Sequence, residues 1–532
     1  MNSTEINLLD CTLRDGGYIN NWEFSDFNII RIIQSLVDAG AEIIECGYIS
    51  EKKGRKGNHT TLFKSIDQIN VVLEKINVPE DRLFVAMVNY GEADLTSFPL
   101  PSHVKGIRIA FHKKDCYEAI KASEALIQKG YKVFIQPMVT LCYTDEEIIQ
   151  AIKRVNSIGA YAYYIVDSFG AMRGEDVIRL SSLINHNLSK EIRLGFHAHN
   201  NLQLAFSNAI NFLENVHHRS VIIDCSIFGM GRGAGNLTTE LFANHLNEYK
   251  SKNYRIEPIL EIIDSVISNI FRKKTWGYSM SYYLSAIHNC HPNYATFLVN
   301  KKSLPIPDIQ RVLKEIHPDK KIQYDEKYIE ELYTKLNSSS HNESNEDIKI
   351  NVDGNQILVV VPGRSIGENL QQIIHEMENK VTISVNHAIN EIDADYYFFS
   401  NQKRYNEFIF KRLTGSLRKN KFKIIHTSNV KTDPKFDDET YMIEYSKVLG
   451  ITDKEKDNSV VMLLNFLSSL EPKEIYIAGF DGYDEQQSYF SEDMEISLPK
   501  KLIEEKNNLI SKEINEIRKK LDLIAVTKSR FL

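Results

Sequence analysis

Apolar and polar positions alternate with a long, regular rhythm through about the first 225 residues. Short apolar runs fall at 6–10 (INLLD), 42–46 (EIIEC), 83–88, 105–110 (KGIRIA), 132–137 (KVFIQP), 161–167 (YAYYIVD), 192–197 (IRLGFH) and 220–225 (SVIIDC). Helical periodicity separates most of them, as in 117–130, 145–159, 175–188 and 202–216. An early helical pattern starts at the N-cap candidate Ser25 and stops at Gly40. The runs are apolar enough to be buried on both faces, which predicts a parallel sheet covered by helices. Eight β/α alternations of this length predict an α/β fold of the (β/α)8 TIM-barrel type, with a doubly wound open sheet as the structural alternative.

Barrel chemistry gathers at the C-terminal ends of the strands. Read that way, the first run delivers Asp10, Arg14 and Asp15, and the second Glu45. The fourth and fifth give Arg108, His112 and Gln136, and the sixth Asp167 and Ser168. The seventh, LGFHAHNNLQ (194–203), carries His197 and His199, and the eighth leads into GMGRGAGN, ending at Asn236. Residues i and i+2 of a strand share a face, so the two imidazoles project together. With a carboxylate on the same rim, they predict a metal site.

Composition narrows the class. At 532 residues the chain is too long for one core. Net charge −7 offers no basic footprint for nucleic acid. No run of about 18 apolar residues suggests a membrane span, and the N-terminal residues do not read as a signal peptide. The six cysteines form no CxxC pair, as expected of reduced thiols in a cytoplasmic protein.

DCTLRDGG, DSFGAM, GFHAHNNLQLA and GMGRGAGN, over residues 5 to 300, resemble the signatures of the DRE-TIM metallolyase superfamily. DSFGAM is nearest the 4-hydroxy-2-oxovalerate aldolases, whose segment reads DSGGAM. The resemblance implies a divalent cation held by Asp15, His197 and His199 with Asn236 nearby. Mn2+ or Mg2+ is the expected ion, and Co2+ or Zn2+ also suits two imidazoles and a carboxylate. It implies an enolate of a 2-oxoacid such as pyruvate, stabilised by the metal and by Arg14. The substrates would be a small 2-oxoacid and an aldehyde, with Arg14, Glu45, Asp167 and Ser168 around them. Where the aldolases place a general acid/base histidine, this chain has Tyr18. Tyrosine donates a proton readily but is a poor base near neutral pH. Tyr18, His59, His112 or a bound water must therefore take the role. Two rival readings are an acyl-CoA-dependent Claisen condensing enzyme and an inactive barrel serving as a scaffold.

The expected division is a barrel over 1–250, a helical extension completing its site over 251–335, a polar linker over 336–350, and a separate α/β, Rossmann-like domain over 351–532. In the extension, Tyr278, Tyr282 and Tyr283 are candidates to reach the barrel site, while His288 and His291 lack a carboxylate partner and read as structural. In the last domain, PGRSIGEN, SVNHAI and IYIAGFDGY resemble sialyltransferase-like and 6-hydroxymethylpterin pyrophosphokinase (MptE-like) domains. That resemblance implies that Gly363, Ser365, Asn386 and Asp481 face a nucleotide or nucleotide-sugar, making the domain transferase-like. The pairing suggests sugar-acid or surface-glycan synthesis by a homo-oligomeric enzyme. The final charged helix, near 502–521, is expected to be solvated or to pack between subunits.

Overall fold

The computed structural model describes residues 5–532 apart from 55–58, 78, 302–303, 339–348, 350, 418–422, 434–438, 453, 491–493, 495–497 and 499. Its first eight principal strands are β1 (Ile6–Asp10), β2 (Ile43–Ile49), β3 (Leu83–Asn89), β4 (Val104–Phe111), β5 (Lys132–Pro137), β6 (Ala162–Asp167), β7 (Arg193–Ala198) and β8 (Val221–Cys225). All pair in parallel with their neighbours, and β1 pairs with both β2 and β8, closing the barrel. A two-residue strand, Leu62–Phe63, adds outside β2.

Strand alternation builds two apolar layers. Leu9, Ile43, Val85, Phe134, Tyr164 and Ile222 fill the lumen, while Leu8, Ile44, Phe84, Val133, Tyr163 and Ile223 face the surrounding helices. Gly195 is required by close approach: a Cβ there would lie 2.3 Å from the Tyr164 ring. Helix termini follow local chemistry. Ser25 accepts the Asn28 amide before helix Asp26–Ala39, and Gly40 ends it at φ +94°. Thr144 and Glu147 form a capping box on Asp145–Ile158.

The chain forms two compact units: Met1–Thr296 with His317–Tyr324, and Phe297–Ile316 with Asp325–Leu532. The boundary differs from the expected one. Segments expected to complete the barrel, Ile306–Lys314 and Glu326–Asn337, lie in the second unit. Packing explains this: Lys301, itself in that unit, pairs with Glu330 at 3.3 Å and Asp457 at 3.6 Å, and Tyr333 donates to Asp457 at 3.2 Å. The expected 336–350 linker lies largely outside the described residues.

The second unit carries a seven-stranded parallel sheet, of β9 (Gln356–Val360), β10 (Val381–Val385), β11 (Tyr396–Phe399), β12 (Lys423–Thr427), β13 (Glu439–Ile443), β14 (Glu474–Ala478) and β15 (Leu523–Ala525). Its order is β13-β12-β11-β10-β9-β14-β15, so the winding reverses between β9 and β14. The final helix, Lys500–Ile517, is neither solvated throughout nor left free for a partner along its apolar face. It buries Ile503, Ile510, Ile514 and Ile517 within its own unit, and Glu513 accepts the Ile451 and Thr452 amides. No helix among the described residues is long and apolar enough to cross a membrane.

Candidate active site

Strand ends and the loops after them bring the barrel's polar side chains into one buried network. Arg14, just past β1, donates from Nε to Glu45 at 2.8 Å and from Nη1 to Asp15 at 2.7 Å. Glu45 on β2 also takes Arg108 Nη1 from β4 at 2.8 Å. Arg108 pairs in turn with Asp224 of β8, whose other oxygen accepts the Tyr164 hydroxyl at 3.0 Å. Asp224 holds His197 Nδ1 at 2.9 Å, leaving Nε2 free to point elsewhere. Gln136 completes the floor by accepting from Arg108 at 2.9 and 3.1 Å. Three carboxylates thus face two guanidiniums.

Above this ring, Asp15, His197 and His199 offer ligand atoms all within 4.8 Å of one another. The imidazole centroids are 5.2 Å apart and nearly perpendicular. Burial pushes His199 down to about 3 against the pull of Asp15, so the ring is neutral. Its 3.8 Å approach to Asp15 is therefore not an ion pair. Burial alone would raise the Asp15 carboxyl, but Arg14, His199 and His197 outweigh it and hold it well below the usual carboxylate range.

The residues fit a divalent cation. Neutral imidazoles and an ionised carboxylate are the required donors. His199 Nδ1 and Asn236 Oδ1 are buried without a hydrogen-bond partner, as atoms reserved for a ligand would be. Asn236 Nδ2 donates to Asp15 at 2.6 Å, which aims both side chains at one point. A Cβ on Gly231 would sit 2.7 Å from Asp15 Oδ2, so the loop can press this close only with glycine.

Other candidates are placed differently. Asp167 spends its two oxygens on the Ala171 and Met172 amides at 2.9 and 3.0 Å, ordering its own loop rather than facing a substrate. Burial raises its carboxyl to about 7. Ser168 Oγ accepts the Val139 amide at 2.9 Å. Tyr18 is 37% exposed at the rim, packed on Trp22 at 4.6 Å. His59 is exposed against Asp26, whereas His112 is partly buried with Nδ1 unpartnered. Tyr278 and Tyr283 stand exposed beside each other, and from the extension it is His291 that packs on Phe169, next to Ser168. Asp224 escaped the sequence reading, although its position two beyond the lumen residue Ile222 marks it as inward-facing.

In the second unit, Gly363, Asn386 and Asp481 line a cleft of about 1540 Å³ at the ends of β9, β10 and β14. Ser365 does not line it. It is buried, with its amide on Asp481 at 2.8 Å and its hydroxyl on Thr527 at 2.9 Å, so neither is available to a phosphate. Gly363 is forced by a Cβ position 2.2 Å from the Gly479 carbonyl. Asn386, at φ +60°, donates to Ser459 at 2.7 Å and leaves Oδ1 unpartnered.

Comparison with known proteins agrees with the barrel's geometry. The chain is 31% identical over 246 residues to 4-hydroxy-2-oxovalerate aldolase of Chloroflexus aurantiacus (strain ATCC 29364 / DSM 637 / Y-400-fl), covering 44% of this chain and 67% of that enzyme. It is 27% identical over 292 residues to the same-named enzyme of Pseudoalteromonas translucida (strain TAC 125), covering 52% and 83%. Among solved structures, the N-terminal domain of a proposed aldolase from Bacteroides vulgatus superposes with a TM-score of 0.51 at 27% identity, covering 57% of this chain and 99% of that one. The HMGL-like family profile matches residues 5–266. Through this barrel, the chain belongs to the HMGL-like family of aldolases and lyases.

Proposed function

We propose that the barrel is a divalent-metal-dependent aldolase that makes or breaks the carbon–carbon bond next to a 2-oxoacid, with pyruvate as the enolate donor. The observation carrying this reading is the convergence of Asp15, His197 and His199 beside the Arg14 guanidinium. Asp15, His197, His199 and Asn236 Oδ1 would hold the cation, Mn2+ or Mg2+ by preference. When bound, it supplies Lewis-acid stabilisation of negative charge on the 2-oxoacid oxygen.

The chain's own residues account for the rest. Arg14 is locked by Glu45 and Asp15, so its remaining donors are fixed where the enolate oxygen develops charge. In condensation, the pyruvate methyl gives its proton to a water in the site, the resulting enolate carbon bonds to the aldehyde carbon, and the former aldehyde oxygen takes a proton. Tyr18, at the rim in place of histidine, gives that proton from its hydroxyl, and water returns the methyl proton to it.

For the second unit, the reading is a nucleotide or nucleotide-sugar site of transferase type. Its support is the cleft beyond the carboxyl ends of parallel strands where the winding reverses, a usual place for such ligands. A sugar-acid product would link the two activities.

The test is product formation. Full-length protein with Mg2+, pyruvate and a set of aldehydes should yield 4-hydroxy-2-oxoacids, read by mass spectrometry, and chelation should abolish them. Product only with an acyl-CoA, with thiol release, would replace this reading by the Claisen one. Metal binding without turnover of either kind would favour the scaffold.

A further inference from the structure

Among the described residues, the three arginines buried in the barrel are each engaged. Arg14 and Arg108 each face carboxylates, and Arg219 donates to Asn185 Oδ1 and to the backbone carbonyls of Ser189, Ile192, Asn185 and Leu188. Arg232, in the GMGRGAGN loop beside the metal candidates, differs from these three. It is half-buried and makes one hydrogen bond, from Nη2 to the Ser168 carbonyl at 3.2 Å. Its Cζ lies 5.6 Å from the Tyr18 ring centroid. Among the described residues no carboxylate comes within ion-pair distance of it, so most of its five donors have no protein acceptor.

The surroundings add imidazole donors. His291 packs on Phe169, next to the Ser168 whose carbonyl takes Arg232, and burial pushes its ring down to about 3; burial also lowers His112 against the opposing pull of Asp115. His112 Nδ1 is buried without a partner. A neutral imidazole can still donate one N–H to an anion. Asp15 feels the charge of Arg232 only from beyond ion-pair distance and is already taken by Arg14 and Asn236.

The loop fixes the backbone beside this arginine. Gly233 takes φ +70°, where a Cβ would fall 2.6 Å from Asn201 Oδ1, and that oxygen accepts the Ala234 amide at 2.8 Å. A partly desolvated guanidinium on a fixed backbone, with no ion-pair partner, suits an anion.

We propose that Arg232, with His112 and His291, forms an anion subsite at the barrel mouth, and that the acceptor aldehyde carries a carboxylate or phosphate group on the side away from its carbonyl. The substrate assignment rests on the aldolase reading above; the subsite does not. Tyr18 lies against the same guanidinium, so an acceptor anchored there brings its carbonyl to the residue that supplies the proton.

The experiment compares Mg2+-loaded full-length wild type with Arg232→Met and Arg232→Lys. Acceptors are paired by charge: 4-oxobutanoate against butanal, and glyceraldehyde 3-phosphate against glyceraldehyde. Wild type is expected to favour the charged member of at least one pair by about tenfold to a hundredfold in kcat/KM, the scale of a charge-assisted hydrogen bond. Whichever pair shows the preference identifies the carboxylate or the phosphate. Arg232→Met should erase it through a raised KM, and Arg232→Lys should keep part. Equal use of charged and neutral acceptors by wild type, or an equal loss on both in Arg232→Met, overturns the proposal. If no aldehyde is turned over, the aldolase reading fails, and titration with succinate and inorganic phosphate reads the subsite by itself. Binding weakened about tenfold in Arg232→Met sustains it. Identical affinities overturn it.

Discussion

The barrel rim and the cleft of the second unit are both built at the carboxyl ends of parallel strands, yet they are made of different material. The rim is a lattice of side chains: Arg14, Glu45, Arg108 and Asp224 alternate in charge and end on His197. The cleft is a feature of the backbone, opened where the winding reverses and tightened by Gly363 against Gly479. Its charged side chains largely neutralise one another in place, as Lys506 does Glu455 and Lys454 does Glu505. A rim of the first kind is specified residue by residue and fails when one member is lost. A cleft of the second kind tolerates side-chain change and depends on strand order.

The largest effect that separates them is metal dependence. His199→Ala should reduce aldol turnover to background and bring metal content down with it, as metal analysis of purified protein would report. Substituting Asn386 in the cleft should leave both unaltered. Tyr18→Phe comes next. Loss of a general acid should lower kcat by about 10²–10⁴-fold, with metal content retained; unchanged kcat would move the proton transfer to His112 or to water.

Stability gives a smaller contrast. Arg108→Met removes the buried cation shared by Glu45 and Asp224 and should cost about 3–5 kcal/mol in denaturant unfolding. Lys454→Met breaks a solvent-exposed pair and should cost under about 1 kcal/mol. Equal losses would erase the distinction between rim and cleft.

The smallest effect is a pH dependence at Asp10, which accepts from Thr12 and Thr239 and is raised by burial to about 6. The folded state keeps this proton up to about pH 6, while the unfolded chain releases it near its ordinary value of 3.8. The associated stability is therefore fully present below about pH 4 and is lost as pH rises through about 6. Asn mimics the protonated acid, so Asp10→Asn should lack this decline when melting curves from pH 4 to 7 are compared with wild type.

The same contrast explains what could be read from the sequence. All eight barrel strands were legible because each is apolar on both faces and bounded by turn chemistry. The ligand pair was legible because His197 and His199 share one face of one strand. Asp224 and Arg232 were not, since a single charged residue in a strand or glycine loop has no pattern, and its partners come from other strands and loops. In the second unit the edge strands Glu439–Ile443 and Leu523–Ala525 went unseen, the first because it opens on the polar Glu439 and Thr440, the second because it has only three residues. Ser365 was misplaced for a related reason. A Gly–Arg–Ser turn predicts a helix start, but not that Asp481 and Thr527 will already occupy its donors.

The most direct test of the rim is deuterium exchange into the methyl group of pyruvate, followed by proton NMR in D2O with Mg2+ and no aldehyde present. The account predicts exchange by wild type that stops on chelation, is absent in His199→Ala, and falls by about 10²–10³-fold in Arg14→Met. Metal-loaded wild type that leaves the methyl protons in place, or exchange that survives in Arg14→Met at the wild-type rate, would contradict it.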